Sequence, residues 1–188
     1  RKFQEKHGLI GYVFAWDEER ERLQVIIRYI TKLQNMRMRL RAMGRNIEER
    51  NFINKIHVNI ELLDEEIKKF KTELVEEAKR LFPKEMKLLC GTRGIGEDTV
   101  ALILSESKGI ERFSQSKSFV AFAGLDPSIK QSGVSIHGKS HMTKSGSPIL
   151  RKRLTWSAKL LVQWNPVFKQ RFEYDIQRGK PVGVAYGI

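Results

Sequence analysis

Apolar residues recur on a three-four spacing through the first half of the chain. Leu23, Ile26, Ile30, Leu33, Leu40 and Ile47 keep the rhythm, with Arg37 and Gly44 in the two remaining seam positions. Ile53, Ile56, Ile60, Leu63, Ile67, Phe70, Leu74 and Leu81 repeat it. A seven-residue apolar repeat with charged flanks is the mark of a coiled coil. Between Asp17 and Phe82 there is no proline and one glycine, Gly44. The phase slips across Glu48-Glu49-Arg50-Asn51. That slip predicts a turn between two antiparallel helices, each about 30 residues and about 45 Å long. One continuous helix with a stutter is the competing reading.

Pro83 ends the second helix, and the pattern beyond it shortens. A short helix is predicted over Glu85–Cys90, then the turn Gly91-Thr92-Arg93-Gly94-Ile95-Gly96, then a helix from Glu97 to about Ser105. Ser116–Ala123 reads as another short helix with Phe119, Val120 and Phe122 toward the core, stopped by Gly124-Leu125-Asp126-Pro127. A loop follows from Ser128 to about Ser147, with at most a short hairpin in it. Pro148 opens a helix as a first-turn proline. Its apolar face includes Leu150, Leu154, Leu160, Leu161 and Trp164. Asn165-Pro166 breaks that helix and starts the last one, through Phe168, Phe172 and Tyr174 to Gly179. The expected fold is mainly α: a connector over 1–16, a long antiparallel helical hairpin over 17–83, and a small helical domain over 84–188.

Composition changes the picture in one direction. The chain has 188 residues, with 35 Lys+Arg against 22 Asp+Glu, a formal net charge of +13. The first 85 residues mix both signs, and most of the excess sits in the last third. No acidic residue lies between Asp126 and Glu173, whereas Lys130, Lys139, Lys144, Arg151, Lys152, Arg153, Lys159, Lys169 and Arg171 all do. Such one-sided charge suits a polyanion, with DNA or RNA the leading candidate. The lone cysteine, Cys90, excludes an intrachain disulfide and a cysteine-cluster zinc site, and fits a reducing compartment. No stretch approaches the ~18 apolar residues that span a membrane, and the start is not a signal sequence. Both ends read as cut from something longer.

Two segments have candidate chemistry. Gly94-Ile95-Gly96 between short helices is the core of a helix-hairpin-helix. Its glycines let backbone N–H groups and the next helix N-terminus meet one phosphate without reading a base. Arg93 stands where such hairpins usually have proline, and adds a possible phosphate contact. The plainer reading is a turn joining two packed helices. The second segment is Gln131-Ser132-Gly133-Val134-Ser135-Ile136-His137-Gly138-Lys139. Serine is a weak nucleophile without a base, metal or electrostatic help. His137 and His141 are near, and Lys139 and Lys144 would offset charge on a pentavalent phosphate. On the residues alone, a flexible basic loop touching backbone phosphates accounts for this segment more simply. The two histidines suit phosphate contacts better than a metal, for no carboxylate cluster stands beside them. Arg37, Arg39, Arg41 and Arg45 near the hairpin tip would either track a nucleic-acid backbone or form a solvated face.

Read together, Leu88–Gly96, Phe119–Pro127, Gln131-Ser132-Gly133 and Met142-Thr143-Lys144-Ser145-Gly146 resemble one family. Leu150-Arg151-Lys152-Arg153-Leu154 and Asn165-Pro166-Val167-Phe168 continue the likeness. Over roughly 85–182 the chain is similar to the C-terminal half of the "one-ten" insertion-sequence transposases. These are relatives of the Piv and MooV invertases, and are bridge-RNA-guided recombinases. The resemblance implies a serine attacking a DNA phosphodiester, here Ser132, with Ser135 as second choice. DNA contacts are expected from Arg93, Gly94, Gly96, Lys130, His137, Lys139, His141, Lys144, Arg151 and Arg153. It further implies magnesium on an Asp-Glu-Asp-Asp set in a RuvC-like N-terminal domain, a guide RNA, and homo-oligomers joined through the coiled coil. The location implied is prokaryotic cytoplasm, at the nucleoid. This sequence contains no such acidic tetrad, so it is expected to have no metal of its own and to bind nucleic acid without cleaving it unaided. A non-catalytic helix-hairpin-helix protein is the runner-up, and a coiled-coil scaffold with incidental charge the third reading.

Overall fold

The computed structural model describes residues 18–128 and 141–186, and among them the chain is mainly helical. Helices α1 (Glu18–Gly44) and α2 (Arg50–Leu81) pack along one another. Their direction follows from the pairs that cross between them. Arg80 meets Glu19, Arg22 meets Glu73, Tyr29 meets Glu66 and Arg37 meets Asp64, so one number rises as the other falls. The hairpin is antiparallel, and the continuous helix is excluded. Arg37, the seam residue that breaks the apolar pattern, is the one that pairs with Asp64. A polar seam position is tolerated there because the facing helix supplies the opposite charge.

Burial along the hairpin is uneven. Leu23, Ile26, Ile27, Ile30 and Leu33 are buried, as are Ile67, Leu74 and Ala78. Leu40, Ile47, Ile53 and Ile60 keep the same spacing but are only half-buried. The difference is a third helix. α4 (Glu97–Ser107) lies against both α1 and α2 at their base and leaves the tip to two helices alone. Every residue of α4 from Thr99 to Ser107 is buried. Its run Val100-Ala101-Leu102-Ile103-Leu104 is apolar all round, which suits a helix with partners on every side. Ser105 and Ser107 cost little there, because their hydroxyls donate to the carbonyls of Ala101 and Ile103 at 2.6 and 2.7 Å.

Around this central helix sit α3 (Pro83–Cys90), α5 (Ser116–Phe122), α6 (Pro148–Trp164), α7 (Pro166–Gln177) and α8 (Val182–Ala185). Pro83, Pro148 and Pro166 each stand in the first turn of their helix, where a missing N–H costs nothing. α3 therefore starts at Pro83, not Glu85 as the sequence suggested. β1 (Pro127–Ser128) pairs with β2 (His141–Met142) antiparallel, Pro127 opposite Met142 and Ser128 opposite His141.

Two apolar assignments, Val120 and Trp164, need correction. Val120 is 39% exposed, because α5 seats Phe119 and Phe122, three apart on one face, beside the Phe113 ring at centroid distances of 5.2 Å. Position 120 is turned about 100° away from 119. Trp164 is 50% exposed at the last residue of α6, and Phe168 and Tyr174 are exposed on α7. The α6 face that does bury begins at Leu150, packed with Ile103 and Ala123.

Candidate nucleic-acid interface

The base of the long basic loop is built first by two glycines. A Cβ on Gly146 would fall 1.9 Å from the Phe122 carbonyl oxygen, and one on Gly124 would fall 2.6 Å from the Gly146 nitrogen. The two backbones approach as only glycines allow. Gly124 also has φ +68, in the left-handed region. On this close crossing the chain makes a clamp. The Thr143 amide donates to the Asp126 carbonyl at 2.9 Å and its hydroxyl to the Asp126 carboxylate at 2.6 Å. The Lys144 amide donates to the Gly124 carbonyl at 3.1 Å. The Arg151 guanidinium reaches the carbonyls of Ala123 and Gly146 at 3.3 and 3.4 Å.

The next contact ties this base to the core. Ser147 caps α6 by accepting from the Leu150 amide at 3.2 Å, and its hydroxyl donates to the Glu106 carboxylate at 2.7 Å. Glu106 is buried in α4, and its backbone carbonyl accepts from Gln24 of α1 at 3.1 Å. One residue of the central helix thus holds both the hairpin and the loop base.

The glycine turn between α3 and α4 stands elsewhere. Gly94 has φ +106, and a Cβ there would lie 3.1 Å from the Leu160 carbonyl of α6. Gly96 caps α4 in extended conformation. The first turn of α4 carries Glu97 and Asp98, paired with Lys79 and Lys71 at 2.8 and 3.2 Å. Those carboxylates occupy the positive end of the helix, the position a phosphate would take. Close packing on α6 accounts for Gly94. Arg93 is exposed beside it. The turn meets α6 at Leu160 and the loop base meets it at Leu150, about 15 Å apart along the helix. Arg153 lies between them, 3.5 Å from the Thr99 hydroxyl.

Of the residues assigned to nucleic acid from sequence, Lys144 is exposed with φ +55 near the clamp, and Arg151 is turned inward as part of it. His141 pairs through its backbone in β2. Ser132, Ser135, Lys130, His137 and Lys139 lie outside the described residues. Among the described residues no three His, Cys, Asp or Glu side chains converge as metal ligands. Burial pushes the Cys90 thiol up, with the Glu97 carboxylate adding to the effect and Lys79 opposing it, so Cys90 offers no ready thiolate. Asp126 and Thr143 stand in segments that the sequence singles out, Phe119–Pro127 and Met142–Gly146, but it gives neither a role, and it does not single out the buried Glu106. Nothing in the pattern around Glu106 separates it from an ordinary helix residue.

The stretch from α3 into α7, with the turn, the clamp and α6 inside it, is what known proteins share. Residues 86–173 match the transposase IS116/IS110/IS902 family. Over 93 residues the chain is also 29% identical to the "Insertion element IS110 uncharacterized 43.6 kDa protein" of Streptomyces coelicolor. That similarity covers 50% of this chain and 23% of that protein, so the chain spans less than a quarter of the relative's length. The comparisons thus show likeness to an insertion-element transposase family over that stretch. The hairpin α1–α2 lies outside the residues of the family match.

Proposed function

We propose that this chain is the serine-bearing, DNA-handling part of a transposase that cuts and rejoins DNA through Ser132. The observation that carries the reading is the family match over 86–173, whose residues bracket the loop that contains Ser132. The clamp at Gly124, Gly146, Asp126 and Thr143 supports it, since a nucleophile needs a fixed base to present it. In the proposed step the serine hydroxyl gives up its proton and its oxygen bonds to phosphorus, while the P–O bond to the departing strand breaks and that oxygen takes up a proton to leave as a hydroxyl. Lys139 and Lys144 offset the charge on the phosphate as it forms. No cluster of carboxylates among the described residues suits magnesium. The metal-binding RuvC-like domain of our reading belongs to the wider protein, and the chain by itself binds DNA without cutting it. A guide RNA and homo-oligomers through the hairpin complete the proposal. Met36, Met38, Phe52, Val58 and Leu62, exposed on α1 and α2, support the second of these.

The test is a denaturing gel of the protein with its acidic domain, magnesium and insertion-element DNA. A protein–DNA adduct forms with the native sequence and disappears in Ser132→Ala. An adduct that persists in Ser132→Ala and is lost in Ser135→Ala moves the nucleophile by three positions. An adduct that neither change removes refutes the serine mechanism.

A further inference from the structure

Between α1 and α6 runs a groove of about 710 Å³, whose walls include Gln34 and Asn35 on one side and Arg151, Lys152, Arg153 and Trp156 on the other. Among the described residues no carboxylate lines it. The α2–α4 groove differs, mixing Lys68, Lys71 and Lys79 with Asp64, Glu76, Glu97 and Asp98. Trp156 is 57% exposed in the middle of a helix. An indole in that position forgoes most of the burial that normally fixes tryptophan in a core. Lys152 and Lys159 stand one turn before and one turn after it, and both are exposed. Residues 152, 156, 159 and 163 share one face of α6 by helical spacing. That face reads Lys-Trp-Lys-Gln, and it is distinct from the Leu150–Leu154 stripe that enters the core.

We infer that this groove holds a single strand of DNA, with one base stacked on the Trp156 indole and the adjoining phosphates on Lys152 and Lys159. The inference rests on the transposase reading, and adds to it the place where an unpaired strand lies. Stacking on an exposed aromatic between cations is how proteins grip single strands without reading sequence. In a duplex each base face is already covered by its neighbours, so the indole has nothing to stack on. Gln34 and Asn35 bring amides that donate and accept toward base edges. The guanidiniums of Arg151 and Arg153 are held by backbone carbonyls and by the Thr99 hydroxyl. They give the groove fixed positive walls, and the lysines follow the backbone. Strand exchange requires unpaired DNA at some stage, and this groove opens beside Met142, next to the loop clamp.

Fluorescence anisotropy decides it, with labelled oligodeoxythymidylate and a duplex of equal length at matched salt. Trp156→Ala is expected to bind the single strand about tenfold more weakly, with duplex affinity changed less than twofold. Trp156→Phe restores most of the single-strand binding, and circular dichroism checks that each variant is folded. Lys152→Gln with Lys159→Gln flattens the single-strand log–log salt slope by about 1.4. Equal losses on both DNAs, or no loss in Trp156→Ala while native duplex binding stands, overturn the groove alone. Preference for an oligouridylate over the deoxy strand overturns the choice of DNA. A change in oligomeric state by Trp156→Ala with DNA binding intact assigns the face to a second copy instead. If the native chain binds neither DNA, the transposase reading falls with it.

Discussion

Among the described glycines, Gly146 has the least room for a side chain. Its missing Cβ is replaced by the Phe122 carbonyl oxygen at 1.9 Å, a backbone atom that cannot swing aside. Gly146→Ala is therefore expected to cost about 1–3 kcal/mol through forced displacement of the loop base, read as a lower midpoint in urea unfolding. Gly179→Ala meets no atom within 4 Å. It nevertheless strains a φ of +75, so it costs only about 1 kcal/mol. Equal midpoints for Gly146→Ala and the native chain would show that the crossing is not tight. Asp175 makes a pH prediction. Its hydrogen bond to Lys180 holds the carboxyl below the usual aspartate range, burial opposes this, and Arg171 adds to the lowering. A lowered folded pKa stabilises above the unfolded value, and that contribution disappears as pH falls through the folded one. The native chain should thus exceed Asp175→Asn in stability at neutral pH, with the two converging in acid. A gap that stays constant from neutral pH into strong acid would refute the pairing.

At the scale of elements, the hairpin was legible because a seven-residue rhythm survives single exceptions. Arg37 interrupts the apolar repeat and still does not break the helix, since Asp64 faces it. The α6 boundary was legible because Ser147-Pro148 and Asn165-Pro166 name both ends, and both caps accept from backbone amides. Short helices gave less. Seven residues of α5 contain too few turns for periodicity to tell Val120 from Phe119, and only the Phe113 ring chooses between them. The Lys152–Trp156–Lys159 face was not singled out, because pattern along one helix does not say which of its residues the other elements leave open. Leu150 tests the element packing. It is fully buried between α4 and α5, so Leu150→Ala should cost about 2–5 kcal/mol by calorimetry or denaturant. A loss under about 1 kcal/mol would mean that α6 docks by its cap and clamp bonds alone.

At the scale of the molecule, charge decides the partner. With a net charge of +13, binding to duplex DNA should weaken steeply with salt, and the log–log slope counts phosphates at about 0.9 each. Arg93→Ala and Lys144→Ala should each flatten that slope by about 0.9. A slope near zero in the native chain would favour a scaffold whose charge is incidental. The candidate site was legible as charge and as short motifs, not as a set of crossing contacts. Charge and small residues announced a polyanion, whereas the clamp depends on pairs such as Asp126 and Thr143, 17 positions apart. Sequence spacing records neighbours along one element and is silent on which elements cross.

The buried carboxylate of Glu106 gives this architecture a mechanical property. Its backbone carbonyl is held from α1 and its side chain from the cap of α6, with α4 buried between. The contacts from Gln24 through Glu106 to Ser147 join the hairpin to the first turn of α6 in one chain. A displacement of α1 against α4 would therefore be passed to the Ser147 cap and the glycine crossing beside it.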